Sequence, residues 1–316
     1  MNARKIPVAG VAVILLVGGG AMADGFGTGA NQFTIDFVTI SRATNPTSGY
    51  GIVSNDYRMG VYEITNDQWD KFKAELGLPV TGSPSYAYNE DPYWTGTDVP
   101  TNRVSWYEAA QFVNWLNTSR GHPAAYRFAG TQGQSDYAPA TWTSAQADNG
   151  TNLYRHKDAM YYLPTEHEWV KAAYWNGGSL QTYATKAGET LHKGDGISGS
   201  GWNYYDTGYA TDPLGPWAVG RGSEELNGTY DMMGNVWEWM ESPWTGGHYT
   251  PGSGRNLRGG SFDDRDFSLT SFSVLINNPY YEYGLFGFRV ASEVPEPCSL
   301  VLLSLGGLAL IKRRRR

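Results

Sequence analysis

The sequence predicts a mixed α+β fold, one domain with little regular secondary structure. Three observations carry this reading. Helix starts with a capping box, Ser or Thr followed three residues later by Glu or Gln, stand out at only three places: Thr65 with Gln68, Ser105 with Glu108, and Thr165 with Glu168. Short alternating runs such as 33–40 (FTIDFVTI) read as strands. The rest is rich in Gly, Asn and Tyr, with no internal repeat and no linker to divide it. At 316 residues the chain is long enough to bury a sizeable core.

Taken in order, residues 1–23 have the form of a signal peptide. Arg4 and Lys5 form a basic start, 8–17 an apolar run, and Ala21-Met22-Ala23 a small-residue cleavage site before Asp24. The body is expected over 24–293. Its first helix runs from Thr65 to about Leu76. The second runs from Ser105 to about Asn117, with Trp106, Ala110, Val113 and Leu116 on one face, and the third passes through Trp169 and Ala173. Segments 121–161 and 177–228 read as long irregular loops, which compact domains keep mainly where function or a metal ties them down.

The C-terminal segment 294–316 is different in kind. Pro295-Glu296-Pro297 precedes an apolar run over 300–311, then Lys312 and Arg313 to Arg316. The run is short for a bilayer span, but an apolar segment ending in a basic cluster suits a recognition tail that stops at an inner leaflet. Loss of both ends would move the formal net charge from −7 to −13. Such an acidic body excludes nucleic acid as a partner and favours cations. The one cysteine, Cys298, lies in the tail, so the body can form no internal disulfide.

The densest chemistry is in 228–239, GTYDMMGNVWEW. Gly234 and Asn235 tolerate the positive φ of a tight turn. Two carboxylates, Asp231 and Glu238, flank that turn, and Trp237 and Trp239 wall it from water. Carboxylates beside exposed backbone carbonyls make a hard-cation site, since Ca²⁺ takes six to eight oxygens. The alternative is that the two tryptophans are simply core. The five histidines include no pair at metal-binding helical spacing. The cluster Asp263, Asp264 and Asp266 reads either as a ligand or cation contact or as a solvated acidic turn. Arg258 and Arg289 are expected to pair with internal carboxylates.

These motifs carry a family resemblance. YRMGVYEITN (57–66), PTNRVSWYEA (100–109), YLPTEHEW (162–169), GTYDMMGNVWEW (228–239), RGGSF (258–262) and GFRVA (287–291) occur in the order found in the formylglycine-generating enzyme, or sulfatase-modifying factor, family. The resemblance implies a C-type lectin-like α+β fold. It also implies calcium held by Asp231 and Glu238 with the backbone carbonyls of Gly234 and Val236. The family places two copper-binding redox cysteines after the Gly-Gly-Ser motif, and at those positions this chain has Asp264 and Leu269. Neither can act as a thiolate ligand or nucleophile, so no copper and no formylglycine-generating activity are expected. The tail resembles a PEP-CTERM sorting signal, which implies export across a Gram-negative inner membrane, an exosortase-type processing partner and a cell-envelope or exopolysaccharide setting.

Three functions remain open. One is a non-catalytic module binding a peptide or glycan in the old catalytic cleft, with Ser261, Asp263, Asp264 and Asp266 as contacts. The second is a divergent metal-dependent enzyme of the same family, and the third a structural matrix protein.

Overall fold

The computed structural model describes residues 22–211, 213–243 and 252–295. It opens with β1 (Met22–Phe26), β2 (Phe33–Ile40) and β3 (Tyr57–Gly60), then α1 (Asn66–Leu76) and α2 (Trp106–Thr118). Four short strands follow, β4 (Arg127–Ala129), β5 (Ala138–Ala140), β6 (Ala147–Asp148) and β7 (Asn152–His156). Next come β8 (Tyr161–Tyr162) and α3 (Glu166–Tyr174), then β9 (Trp237–Pro243) and β10 (Arg255–Arg258). β11 (Leu275–Asn277), β12 (Phe286–Gly287) and β13 (Ala291–Glu293) complete the series. The arrangement is the mixed α+β type expected.

All three helices begin at their capping boxes. In α2, Ser105 Oγ accepts the Glu108 N–H at 3.2 Å while Glu108 Oε2 accepts the Ser105 N–H at 2.9 Å. Such reciprocal caps satisfy two otherwise orphaned donors. α1 stops at Gly77, whose φ of 66° is the left-handed value that glycine adopts without strain.

A five-stranded antiparallel sheet has the order β1-β2-β3-β13-β8, so the segment after GFRVA closes back on the first strands. A four-stranded sheet, β11-β10-β9-β12, carries the functional motifs, with β9 and β12 parallel. β2 is the predicted strand at 33–40, and its Phe33, Ile35 and Phe37 face the core. α2 was expected to bury one face. Instead every residue from Trp106 to Asn117 is buried, because α1, β8 and irregular chain wrap it on all sides. Segment 121–161 is not irregular either, since it folds into the β4–β5 and β6–β7 hairpins. Segment 177–228 does lack helices and strands and is held by isolated bridges such as Asn203 to Gly234.

β1 begins at Met22, two residues before the expected boundary. The Asp24 carboxylate accepts from buried Arg58 at 2.6 Å and from the Tyr161 hydroxyl at 2.8 Å. Among the described residues no helix is long and apolar enough to cross a membrane. The signal segment up to residue 21, and the tail from 296 with its apolar run, arginine cluster and Cys298, lie outside the described residues.

One buried acid pair has a measurable consequence. Glu108 lies against Glu282, which also accepts the N–H groups of Asn89 and Glu90. Burial pushes Glu282 from 4.5 up to about 7, and burial with the neighbouring Glu282 pushes Glu108 well up. The folded chain therefore keeps protons that the unfolded chain releases near 4.5. Stability is expected to fall as pH rises from 4.5 through about 7. Urea midpoints measured across that window should show the decline, and Glu282→Gln should reduce its slope. An identical slope in the variant would refute the assignment.

Candidate functional site

The predicted turn exists, and it is entirely internal. Asp231, Gly234 and Asn235 have φ values of 58°, 84° and 60°, three left-handed positions in five residues. Asn235 ties the turn to distant chain. Its Nδ2 donates to Glu63 at 2.7 Å, and its Oδ1 accepts the Trp217 N–H and Asn203 Nδ2 at 2.9 and 3.1 Å. Its backbone carbonyl accepts the Phe262 N–H. The turn, the Ser261 loop and the irregular segment before it thus form one packed unit.

β12 lies parallel to β9, with Gly287 opposite Glu238, and this brings Arg289 onto the Glu238 carboxylate. Arg289 Nε and Nη2 donate to the two oxygens at 2.7 and 2.6 Å, and Trp169 Nε1 of α3 donates to Oε2 at 2.7 Å. Arg258 likewise pairs with Glu166. Both arginines have the structural partners expected of them, and Trp237 and Trp239 are both buried.

Glu63 and Glu225 join this group, and the motif-by-motif reading missed both as members. Glu63 accepts the Val236 N–H at 3.2 Å, and Glu225 accepts the N–H groups of Met232 and Met233. Asp231 accepts the Gly220 N–H at 2.6 Å. Glu63, Glu225, Asp231 and Glu238 are each no more than 2% exposed, and Arg289 among them is fully buried. Burial pushes Glu225 up to about 8 and Asp231 up to about 6. Burial, and repulsion from Asp231 and Glu238, hold Glu63 well above the carboxylate range. Only Glu238 touches the Arg289 guanidinium, whose charge also acts on the other three acids from further off. Among the described residues no three acidic, His or Cys side chains are grouped to hold a metal ion. A cation here would therefore need oxygens besides the side-chain carboxylates.

The Asp263, Asp264 and Asp266 side chains are not pooled at one point. Asp264 Oδ2 accepts from Ser261 Oγ at 2.5 Å, the Ser261 N–H at 3.1 Å and Trp237 Nε1 at 2.8 Å. Asp264 therefore pins the loop to β9. Asp263 is exposed and accepts the Tyr209 hydroxyl at 2.8 Å, while exposed Asp266 accepts its neighbour Phe267 N–H at 2.9 Å. Ser261 and Leu269 are fully buried. Asp263 and Asp266 thus face solvent, while nearby Phe262 is buried and meets Trp94 edge-on at 5.4 Å.

Comparison with known proteins agrees with this architecture. A family model described as "Sulfatase-modifying factor enzyme 1-like domain" matches residues 4–294. The chain is 25% identical over 215 residues to chaperone protein LppX of Paenibacillus barcinonensis, covering 63% of this chain and 68% of that protein. It is 24% identical over 275 residues to hercynine oxygenase of Mycobacterium tuberculosis (strain ATCC 25618 / H37Rv), covering 75% of this chain and 53% of that protein. The chain thus spans about half the length of the latter relative. Among solved structures, Treponema denticola variable protein 1 aligns with a TM-score of 0.57 at 21% identity, over 86% of this chain and 99% of that one. PvdO from Pseudomonas aeruginosa aligns with a TM-score of 0.53 at 16% identity, over 86% and 98%. These two likenesses show the fold.

Proposed function

The chain belongs to the sulfatase-modifying factor enzyme 1-like family, and from that premise we propose that it is a non-catalytic, ligand-binding member. The observation that carries this reading is Asp264. At a position where the family resemblance calls for a redox cysteine, this carboxylate is spent on three hydrogen bonds that brace the loop. The other such position, Leu269, is packed in the core. The scaffold is retained while the groups needed for thiol oxidation are replaced by groups that hold structure. Incubated with a cysteine-containing sulfatase peptide, with or without copper, the protein is expected to yield no aldehyde. Mass spectrometry showing thiol-to-aldehyde conversion would overturn the reading.

The likeness to hercynine oxygenase favours a second reading, an oxidative enzyme with different metal chemistry. Stoichiometric iron or copper in the purified protein, together with oxygen consumption, would select it. A structural matrix protein with no small ligand is the third reading, and glycan and peptide arrays separate it from the first.

We also propose that calcium joins the buried acid group through Asp231, Glu238 and the carbonyls of Gly234 and Val236. When bound, the ion supplies positive charge against the four carboxylates and cross-links the turn to β9. At about 100-fold over its Kd, an ion bound only by the folded state adds roughly 2.7 kcal/mol. Chelation is expected to lower the melting temperature by several degrees, and Glu238→Gln to remove most of that response. A melting curve unmoved by EGTA, in protein then shown to be metal-free, would leave the turn as packing alone. Export, exosortase-type processing of the tail and an envelope location complete the proposal. The mature protein is then expected to begin near Asp24 and to lack Arg313 to Arg316.

A further inference from the structure

A row of aromatic rings, part of it exposed and Tyr280 packed against the core, lies beside the proposed ligand surface. Tyr86 meets Tyr280 edge-on at 5.0 Å, Tyr280 meets Tyr281 at 5.0 Å, and Tyr281 meets Tyr283 at 5.5 Å. Tyr283 rests on buried Phe286 at 5.1 Å. The row continues across Gly284, which lies against Tyr93 and Trp94, and Trp94 leads on to Phe262 and the Asp264 loop. Tyr86, Tyr93 and Tyr283 are each more than half exposed.

The backbone that carries the row is pinned. The Tyr283 carbonyl accepts the N–H groups of Arg103 and Phe286, and Trp94 Nε1 donates to the Gly284 carbonyl at 3.1 Å. Glu282, between two of the rings, is anchored by the Asn89 and Glu90 N–H groups. Folding gains little from fixing large rings in water, and contiguous exposed apolar surface marks a binding site. Rings already held lose little freedom when a partner arrives.

We propose that this tyrosine row binds a neutral polysaccharide chain, with sugar faces on the rings and sugar hydroxyls on the tyrosine and carboxylate oxygens. The proposal rests on the ligand-binding reading above and names its ligand class. Charge selects neutrality. Arg103, the cation beside the row, is paired with Glu90 at 2.7 Å and lies over Tyr93, so it offers a polyanion no unpaired positive charge. A proline-rich peptide offers only acceptors, which the phenol O–H groups could meet but the Glu90 and Glu282 oxygens could not. On this row Trp94 Nε1 and the Asn89 and Glu90 amides are already engaged. Sugar hydroxyls both donate and accept, which matches phenol and carboxylate groups.

The test is native electrophoresis of the full-length protein in gels containing hydroxyethylcellulose, pullulan or alginate. Retardation is expected in at least one neutral polymer and not in alginate. Tyr281→Ala/Tyr283→Ala should weaken it at least tenfold, as should Tyr93→Ala, which removes a ring that is 60% exposed. Phe267→Ala, an exposed ring off the row, should leave it unchanged, with melting curves confirming that each variant folds. No retardation in either neutral polymer, stronger retardation in alginate, or equal retardation of the tyrosine variants would overturn the proposal. So would tyrosine-dependent binding of a polyproline peptide, or a dimer in sedimentation that Tyr283→Ala dissolves. Reducing ends released from a bound polymer would uphold the row and overturn the non-catalytic reading. Aldehyde formation on the sulfatase peptide would overturn that reading without touching the row.

Discussion

Replacing Arg289 by methionine is expected to lower the unfolding free energy by about 3–5 kcal/mol, the loss typical of breaking a buried ion pair from one side. The guanidinium is fully buried and grips both oxygens of Glu238. It also donates to the carbonyls of Gly60, Val61 and Tyr230, so two chain segments besides β9 lose a donor together. Glu238 would remain buried without its guanidinium, beside three further acids. The variant's deficit should therefore shrink as pH falls, because protonation relieves uncompensated buried charge. Urea unfolding at pH 7 and pH 5.5 checks both parts. A loss under about 1 kcal/mol at pH 7, below what even a modest buried pair yields, would show that solvent reaches this group.

The second large effect is expected at Gly234. Its φ of 84° is already a position that an L side chain seldom takes, and a Cβ there would sit 2.1 Å from the Asn203 carbonyl oxygen. That oxygen also accepts the Asn235 N–H, so it cannot withdraw without breaking the turn's link to the irregular segment. The loss for Gly234→Ala should exceed the roughly 1–3 kcal/mol that a strained backbone position carries by itself. The variant is expected to be recovered mostly as insoluble protein, or with a markedly lowered melting temperature. Gly77→Ala is the control, since it shares a left-handed φ but has open space around the added carbon. Equal behaviour of the two variants would refute the close-approach argument.

The candidate site was only partly legible for reasons that differ residue by residue. Asp231, Glu238, Gly234 and Asn235 lie within one short segment, where turn chemistry and charge are local. Glu63 stands in the motif at 57–66, but its place against Val236 depends on a contact across 173 positions of chain. Glu225 lies in a stretch with no regular element. The cluster of aspartates after Ser261 looked like one pooled group by spacing alone. Backbone geometry instead turned Asp264 inward to Trp237 and left Asp263 and Asp266 outside.

What the sequence by itself determined are the features carried by neighbours a few positions apart. The three helix starts, the strand at 33–40, the positive-φ turn and the absence of any cysteine from the body are all of that kind, because capping, alternation and turn propensity act within about one helical turn or strand. Tertiary structure alone decided the rest. β8 and β12 are two residues long and exist only because β13 and β9 offer them partners. α2 became central because other chain surrounds it, which its mostly apolar run with one charge permits but does not by itself arrange. Tyr86 and Tyr93 join Tyr280, Tyr281 and Tyr283, and Glu63 joins Asp231 and Glu238, only across long stretches of chain. Their chemistry arises from burial and proximity, which exist only once the chain has folded.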